Sequence, residues 1–587
     1  MAKLTIFPIE KSIYTRRKET VREALNRIGV DFETPCNGQG ICGKCIVRVS
    51  PADDAPETPH PDISEQQARE GLRLACRLVP QKDLNVYLLS DDLGDDHRIL
   101  TGARYRDDDV NARHGSHKRN FLHSKPVIGI KTHPAGRVAE KNGKFVFTYD
   151  GIHREIVMSW MEGTSEKGLA IDIGTTTLVV SLVTLKEFRK LSTASSLNPQ
   201  IKYGHDVISR IQMGSTEEGL KALSDMIHEA LNLLIEEVCE NAGSHPQEII
   251  DVVIGGNTTM LQIAAGIDPA PLGRVPFTVG IEGGRTYSAK RFRLNVNPVA
   301  RAYVPPVAHA FIGADISAGL LVPKGFFESG RNMLFIDIGT NGEMGLSVDN
   351  RWFVTSTAAG PAFEGMGVSG GMRAQIGAVE AAKLKNTSIT IQTIGNAPPI
   401  GICGSGIIDI TAVLLKAGVI DASGRMRRPH EKDELLIGLS ERLVEIDNKA
   451  AFRIGNDIYF TQEDVRQVQL AKSAISSGID ILLEEAGIEP DQLDRIIIAG
   501  GFGFSLNPDS LEAIGLIPSG TGPKVYFAGN TCLIGCVRLL RNIEYRRFIE
   551  KQMNRVSHLP IESRPDFMDR YVENMEFKAT PPLASVA

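Results

Sequence analysis

The sequence predicts a multidomain chain: a small mixed α and β domain at the amino terminus, then a large α/β region built from two similar halves. Three observations carry that prediction. Four of the eight cysteines fall within the first 76 residues, at Cys36, Cys42, Cys45 and Cys76. Two stretches repeat, LAIDIGTTTLVVSLVTL from Leu169 and LFIDIGTNGEMGLSVDN from Leu334, with Asp172 and Asp337 165 residues apart, as a duplicated domain requires. Between the cysteine-rich and repeated parts, DDLGDD, RYRDDD and NARHGSHKRN are charged and lack apolar periodicity, which reads as a linker.

At 587 residues the chain can hold several cores. Its 42% hydrophobic and 23% charged residues are those of a soluble globular protein. A net charge of -6 provides no basic footprint, so nucleic acid is excluded as the main partner. No apolar run reaches the roughly 18 residues of a membrane span. Lys11, Arg16, Arg17 and Lys18 interrupt any early apolar stretch, so neither a signal peptide nor a membrane anchor is expected. The expected compartment is a reducing cytoplasm, where cysteines serve as ligands or core residues rather than disulfides.

Residues 3–8 and 11–15 read as a hairpin. TVREALNRIGV, from Thr20, has helical spacing and ends at Gly29. The loop CNGQGICGKC follows, then the alternating strand IVRVS from Ile46. Ser64 and Gln67 form a candidate capping box for a helix over 65–71, leading to RLACRLVP. The loop fits two motifs. As Gly38-x-Gly40-x-x-Gly43 it matches a dinucleotide fingerprint, but that motif should follow a strand and open a helix. Here it follows a helix and precedes a strand. As Cys36-x5-Cys42-x2-Cys45, with Cys76 31 residues beyond, it supplies four thiolates, three from one glycine-shaped loop. That pattern points to a [2Fe–2S] cluster. A zinc site or buried thiols is the alternative, although structural zinc usually pairs two such knuckles.

His97, His114, His117 and His123 lie irregularly in the charged stretch and do not read as a metal site. Residues 126–166 regain strand character (VIGI, KFVFTY, EIVMSW) and predict a small sheet.

In each repeated stretch a buried strand ends in Asp-Ile-Gly-Thr and turns into a second strand. The glycine lets the turn approach a phosphate, while backbone N–H groups and hydroxyls donate to its oxygens. Candidate phosphate-binding residues are Gly174, Thr175 and Thr176 in the first copy, and Gly339, Thr340 and Asn341 in the second. Asp172 and Asp337 are candidates to hold Mg²⁺, directly or through water. Glu343 and Glu364 are candidates to orient water or Mg²⁺. IIIAGGFGFSLN, from Ile496, is an apolar strand running into Gly500, Gly501 and Gly503, a turn flat enough for adenosine. No GxxxxGK[ST] loop occurs. GGNTT after DVVI, and GICGSG from Gly401, read as helix starts, with Asn257 a cap, or as anion sites at helix N-termini. Cys532 and Cys536, four apart, offer half a metal site or ordinary packing.

Two acidic phosphate hairpins plus a distal strand–GGxG resemble the acetate and sugar kinase/Hsp70/actin (ASKHA) superfamily over roughly residues 168–545. The x5-x2 cysteine spacing and RLAC resemble the adrenodoxin-like branch of [2Fe–2S] ferredoxins. Joined in one chain, and with GNTTM, FIGADISAG from Phe311 and AAGPAFEG from Ala358, they resemble the reductive activators of corrinoid proteins. The resemblance implies a β-grasp ferredoxin domain over 1–92, a linker over 93–125 and a small strand-rich domain over 126–166. An actin-like ATP-binding domain of two lobes would span 167–560, and a tail 561–587. It implies an ATP-dependent one-electron reductase that returns a partner's cobalt from Co(II) to Co(I), fed by a ferredoxin, flavodoxin or reductase. A homodimer is compatible with it. Asp95-Asp96-His97 lacks the glycine of a corrinoid-binding motif, so the cobalt is expected on the partner. The alternatives are an ATP-driven electron donor to another low-potential metalloenzyme, and a redox-sensing, ATP-switched binding module.

Overall fold

The structure is a computed structural model. It describes residues 2–7, 11–16, 19–27, 45–51, 55–56, 63, 68–69, 71–88, 137–141, 144–149, 152–156, 166–186, 189–204, 206–328, 330–385, 388–434, 437–455, 457–500 and 506–577. The chain divides into two compact units, 1–104 and 105–587.

In the first unit, strand Lys3–Phe7 pairs antiparallel with Lys11–Tyr14 on one side and parallel with Leu84–Leu88 on the other. Ile46–Ser50 and Leu72–Leu74 complete a five-stranded mixed sheet, whose central parallel pair joins the first and last strands as in a β-grasp. One helix, Val21–Asn26, accompanies it. Thr20 caps that helix reciprocally with Glu23, satisfying two backbone N–H groups that the first turn leaves orphaned. Leu4, Ile6, Val47, Leu74, Leu78 and Val86 are fully buried between sheet and helix. Each such side chain contributes about 1.5–3 kcal/mol. Arg73, also buried, donates to the carbonyls of Ala55, Pro56, Ala68 and Leu72 and so ties down the approach to Cys76. The predicted capping box at Ser64 and Gln67, and the helix stop at Gly29, lie outside the described residues.

In the second unit, strands Arg137–Lys141, Lys144–Tyr149 and Ile152–Ile156 form a three-stranded antiparallel sheet. Two six-stranded sheets then repeat one plan. In the first lobe, Lys167–Ile173 pairs antiparallel with Thr177–Thr184, which pairs antiparallel with Lys190–Leu197. On its other side Lys167–Ile173 pairs parallel with Ile249–Gly256, and that strand with Arg301–Val304. The second lobe does the same with Met333–Ile338, Gly342–Val348, Arg351–Thr357, Arg495–Ala499 and Val525–Gly529. The repeated sequence predicts a strand, a turn and a second strand in each lobe; the third antiparallel strand and the two parallel strands extend that duplication.

Long helices cover the sheets. Glu217–Asn241, capped by Thr216, buries Leu223, Ile227, Leu231, Leu234 and Val238 at helical spacing. Gln462–Ala486 begins with a Thr461/Asp464 capping box and ends at Gly487 in the left-handed region. After strand Val525–Gly529, helix Thr531–Arg541 crosses to the first lobe. A Cβ at its Gly535 would sit 2.0 Å from the Ala318 carbonyl oxygen, so only glycine lets the helices meet. Arg546, on helix Ile543–Met553, pairs with Asp251 at 2.7 Å beneath the first sheet.

Within the stretch set off as a carboxy-terminal tail, helix Phe567–Glu573 packs along Gln462–Ala486. Ser473 donates to the Tyr571 carbonyl and Gln469 to that of Met575, and Phe577 is buried. That stretch is therefore part of the second lobe as far as Phe577.

Candidate functional site

The two acidic strands end in short turns that differ by one residue: four residues separate the paired Ile173 and Leu178, and three separate Ile338 and Gly342. Gly174 N–H donates to the Thr177 carbonyl at 2.9 Å, and Gly339 N–H to that of Asn341 at 3.0 Å. A Cβ at Gly174 would stand 2.7 Å from the Thr177 oxygen, which is why the turn carries glycine. The turns meet tip to tip: the Thr176 and Thr340 hydroxyls are 3.3 Å apart. Thr340 also donates to Glu364 at 3.0 Å. Asn257 caps helix Thr258–Ala264 and, with its amide nitrogen, donates to the Thr175 hydroxyl at 2.8 Å. It is thus the predicted helix start and also a brace for the first turn. Asn198 holds the same turn through the Gly174 carbonyl at 2.9 Å.

The duplication extends to a second glycine in each lobe. Gly256 and Gly500 both end the strand parallel to the acidic one, at φ 152° and 116°. A Cβ on Gly256 would meet the Ile173 carbonyl oxygen at 2.7 Å, and one on Gly500 the Ile338 oxygen at 2.4 Å. These carbonyls directly follow Asp172 and Asp337. In each lobe, then, two strand ends close on each other at the acid, a contact only glycine permits. Gly501 and Gly503 lie outside the described residues.

Acids crowd this cleft. Asp172 accepts from the Asn530 amide at 2.7 Å, across the lobes, and burial raises its pKa. Asp315 opens helix Ala314–Gly319, and burial, joined by repulsion from Asp172, pushes its carboxyl up to about 7. Burial, then repulsion from Asp315, Asp172 and Glu364, pushes Asp337 up to about 8. Glu343, opposite Asp337 in register, is raised well above the usual carboxylate range, first by burial and then by Asp315 and Asp337. Asn341 donates to Glu343 at 3.1 Å. Asp172, Asp315 and Asp337 are half-buried, lining a cleft that solvent enters while protein packs around them. Such a set of raised carboxylates favours a cation among them. Among the described residues no three His, Cys, Asp or Glu side chains converge into a chelating group.

Two guanidinium groups stand nearby. Arg210 is buried, its pKa lowered by burial to about 10, and is held by Gln200 at 3.2 Å and by the Gly204 carbonyl. Arg373 reaches from the second lobe to the Thr176 carbonyl at 3.3 Å.

Sequence reasoning missed Asp315, Asn530 and Arg373. FIGADISAG contains the signal for Asp315: a Cβ at Gly313 would lie 2.6 Å from the Gly256 oxygen, so this glycine marks where the acidic helix start abuts the site. The glycines of GICGSG serve packing. A Cβ at Gly404 or Gly406 would collide with the Phe363 or Val379 carbonyl. Cys532 and Cys536 are buried against Gly255, and Cys536 donates to the Ile171 carbonyl at 3.7 Å.

In the first unit, Cys45 and Cys76 are buried at the same end of the hairpin formed by Ile46–Ser50 and Leu72–Leu74. The Ala75 N–H donates to the Cys45 carbonyl at 2.7 Å. Two of the four predicted ligands are thus brought together from 31 residues apart, as a shared cluster demands. Cys36 and Cys42 lie outside the described residues.

Comparison with known proteins agrees with this division. Residues 5–81 match the 2Fe-2S iron-sulfur cluster binding domain, 167–324 the RACo middle region, and 331–584 the C-terminal domain of RACo, the ASKHA domain. The corrinoid activation enzyme RamQ of Eubacterium limosum is 31% identical over 97% of this chain and 98% of its own. A [Co(II) methylated amine-specific corrinoid protein] reductase of Methanosarcina barkeri is 24% identical over 62% of this chain and 68% of its own. The solved structure of a reductive activator for corrinoid, iron-sulfur protein superposes with a TM-score of 0.68, at 29% identity, over 98% of both chains. The chain belongs to the RACo family, the corrinoid-activating enzymes that join a [2Fe–2S] domain to an ASKHA domain.

Proposed function

We propose that this protein is an ATP-dependent one-electron reductase that returns the cobalt of a partner corrinoid protein from Co(II) to Co(I) in a methyl-transfer system. The observation that carries this reading is the joining, in one chain, of a ferredoxin unit and a pair of facing acidic turns that touch at Thr176 and Thr340.

The residues divide the work. Gly174, Thr175, Thr176, Gly339, Thr340 and Asn341 offer backbone and side-chain donors to a phosphate tail held between the lobes. Asp172 and Asp337 would hold Mg²⁺, directly or through water, and the ion would offset the charge of the phosphates. Glu343 orients a water against the terminal phosphate. Gly500, Gly501 and Gly503 are the candidate residues for adenosine, Gly500 ending the strand that leads to that site. Cys36, Cys42, Cys45 and Cys76 hold the [2Fe–2S] cluster, which supplies a one-electron store.

The fusion answers an energetic problem. Plant-type ferredoxin centres lie near about −400 mV, and the Co(II)/Co(I) couple is expected to lie lower. A gap of about 100–200 mV costs roughly two to three decades in equilibrium constant for one electron. Nucleotide-driven motion of the lobes offsets it only if the two lobe arrangements differ in affinity for the Co(II) and Co(I) forms of the partner. The electron enters from a ferredoxin, flavodoxin or reductase. The compartment is the cytoplasm, and a homodimer is compatible with the reading. Among the described residues no helix is long and apolar enough to cross a membrane.

The test is anaerobic reduction of a Co(II) corrinoid protein, followed by the Co(I) absorbance with and without Mg–ATP. Asp172→Ala and Asp337→Ala should abolish the ATP stimulation while the cluster EPR signal persists. Undiminished reduction in both variants refutes the reading. Nucleotide-dependent binding without any Co(I) would instead identify a switch.

A further inference from the structure

None of the residues assigned above to the phosphate tail is a cation, and the cleft around it holds five carboxylates: Asp172, Asp315, Asp337, Glu343 and Glu364. A polyphosphate entering it needs positive charge beyond the metal. Arg210 is committed to Gln200 and Gly204 beneath the first turn. Arg373 is differently placed. Among the described residues its one hydrogen bond is a long one, 3.3 Å, from Nη2 to the Thr176 carbonyl at the tip where the lobes meet. A guanidinium has five N–H donors, so most of its capacity is unspent.

The segment that carries it is held firmly. Glu364 and Arg373 stand at the two ends of one loop. Gly365 and Gly371 close that loop on itself, since a Cβ at Gly365 would lie 2.3 Å from the Met372 carbonyl oxygen. Buried Asp464 accepts from Ser369 N–H at 2.7 Å, and Gly370 and Met372 bond to Ile402 in both directions at 2.8 Å. Glu364 has one oxygen bonded to Thr340, while the other is buried without a partner among the described residues. The loop thus presents a carboxylate and a guanidinium, both preorganised, to the point where the two turns touch.

We propose that Arg373 is a catalytic residue of the ATPase, an arginine supplied in cis that binds the terminal phosphate and reports its presence across the lobes. This rests on the nucleotide reading above. In the structure its guanidinium holds the Thr176 carbonyl. With nucleotide bound, the same group turns to the terminal phosphate oxygens, and neutralises the charge they gain in the transition state. Because Arg373 belongs to the second lobe and Thr176 to the first, its exchange of partners links hydrolysis to the relation between the lobes.

The experiment compares wild type, Arg373→Ala and Arg373→Lys as full-length chains, by steady-state ATPase and by equilibrium binding of Mg–ADP and of a non-hydrolysable Mg–ATP analogue. Arginine fingers contribute about 10³–10⁵ in kcat, so Arg373→Ala should lose at least about 100-fold in kcat. Its Mg–ADP Kd should stay within about threefold of wild type, while the analogue's rises about tenfold or more. Arg373→Lys should regain little, since the planar fork is lost. Retained Mg–ADP binding and cluster EPR signal establish that the variant is folded. A kcat within about threefold of wild type overturns the proposal, and so does an equal loss of ADP and analogue binding, which marks a structural pin. Wild-type protein that binds neither nucleotide overturns the nucleotide reading and this inference with it.

Discussion

Replacing Asp337 by asparagine should stabilise the nucleotide-free protein while abolishing its ATPase activity. The native carboxyl is raised from 3.8 to about 8 by burial and by its acidic neighbours. An acid whose pKa is higher folded than unfolded binds more protons when folded, so its contribution to stability falls as pH rises between the two values. The window here runs from about pH 4 to about pH 8. Each tenfold difference in proton affinity between the folded and unfolded chain is worth about 1.36 kcal/mol, so the cost at pH 8 approaches about 5 kcal/mol. This is an upper bound, because solvent enters the cleft. Asparagine keeps the shape and removes the charge. For the second unit, residues 105–587, an unfolding entropy of about 2.1 cal/mol/K per residue gives roughly 1 °C per kcal/mol. The assay is a thermal melt of wild type and Asp337→Asn without nucleotide or divalent cation, at pH 5 and pH 8. The gain should be at most about 2 °C at pH 5 and up to about 5 °C at pH 8. A variant no more stable than wild type at pH 8 would refute the reasoning that burial and like-charge repulsion penalise the ionised carboxylate here.

Gly500→Ala forces a Cβ to within 2.4 Å of the Ile338 carbonyl at φ 116°. It should cost about 1–3 kcal/mol or more by denaturant unfolding and weaken nucleotide binding. Cys76→Ser should remove the [2Fe–2S] absorbance and EPR signal while ATPase activity, housed in the other unit, persists. Arg546→Met should destabilise the second unit by about 3–5 kcal/mol, because it removes the cationic half of a largely buried ion pair with Asp251. Adding Asp251→Asn should recover most of that loss, and a double mutant as unstable as the single would assign the effect to lost packing over Tyr303 instead.

The agreement between relatives and residues concerns the family and the two-part architecture. The site assignments rest on geometry. That geometry has an internal check in the duplication. In the sequence Gly256 reads as part of a helix start and Gly500 as part of an adenosine turn, yet each closes on the carbonyl after an acid. The same backbone plan is therefore used twice, with one copy capped by Asn257 and the other leading toward a glycine-rich turn.

Some features are local enough to be read from the chain alone. The cysteine spacing names a cluster because three thiolates on one loop are close whatever the rest of the fold does. The Asp-Ile-Gly-Thr turns are likewise local, since a strand, a glycine and a return strand define a hairpin without distant help. Their repetition across 165 residues makes the two lobes legible too. Asp315, Asn530 and Arg373 are not legible, because each acquires its role through contact with a segment far away in sequence. Asn530 reaches Asp172 across 358 positions, and Arg373 reaches Thr176 across 197. No propensity or spacing encodes such pairs. They exist because one helix crosses between the lobes and one pinned loop leans over the other lobe's turn. Local chemistry determined which parts this protein has; the packing of two duplicated lobes decided which charges face each other.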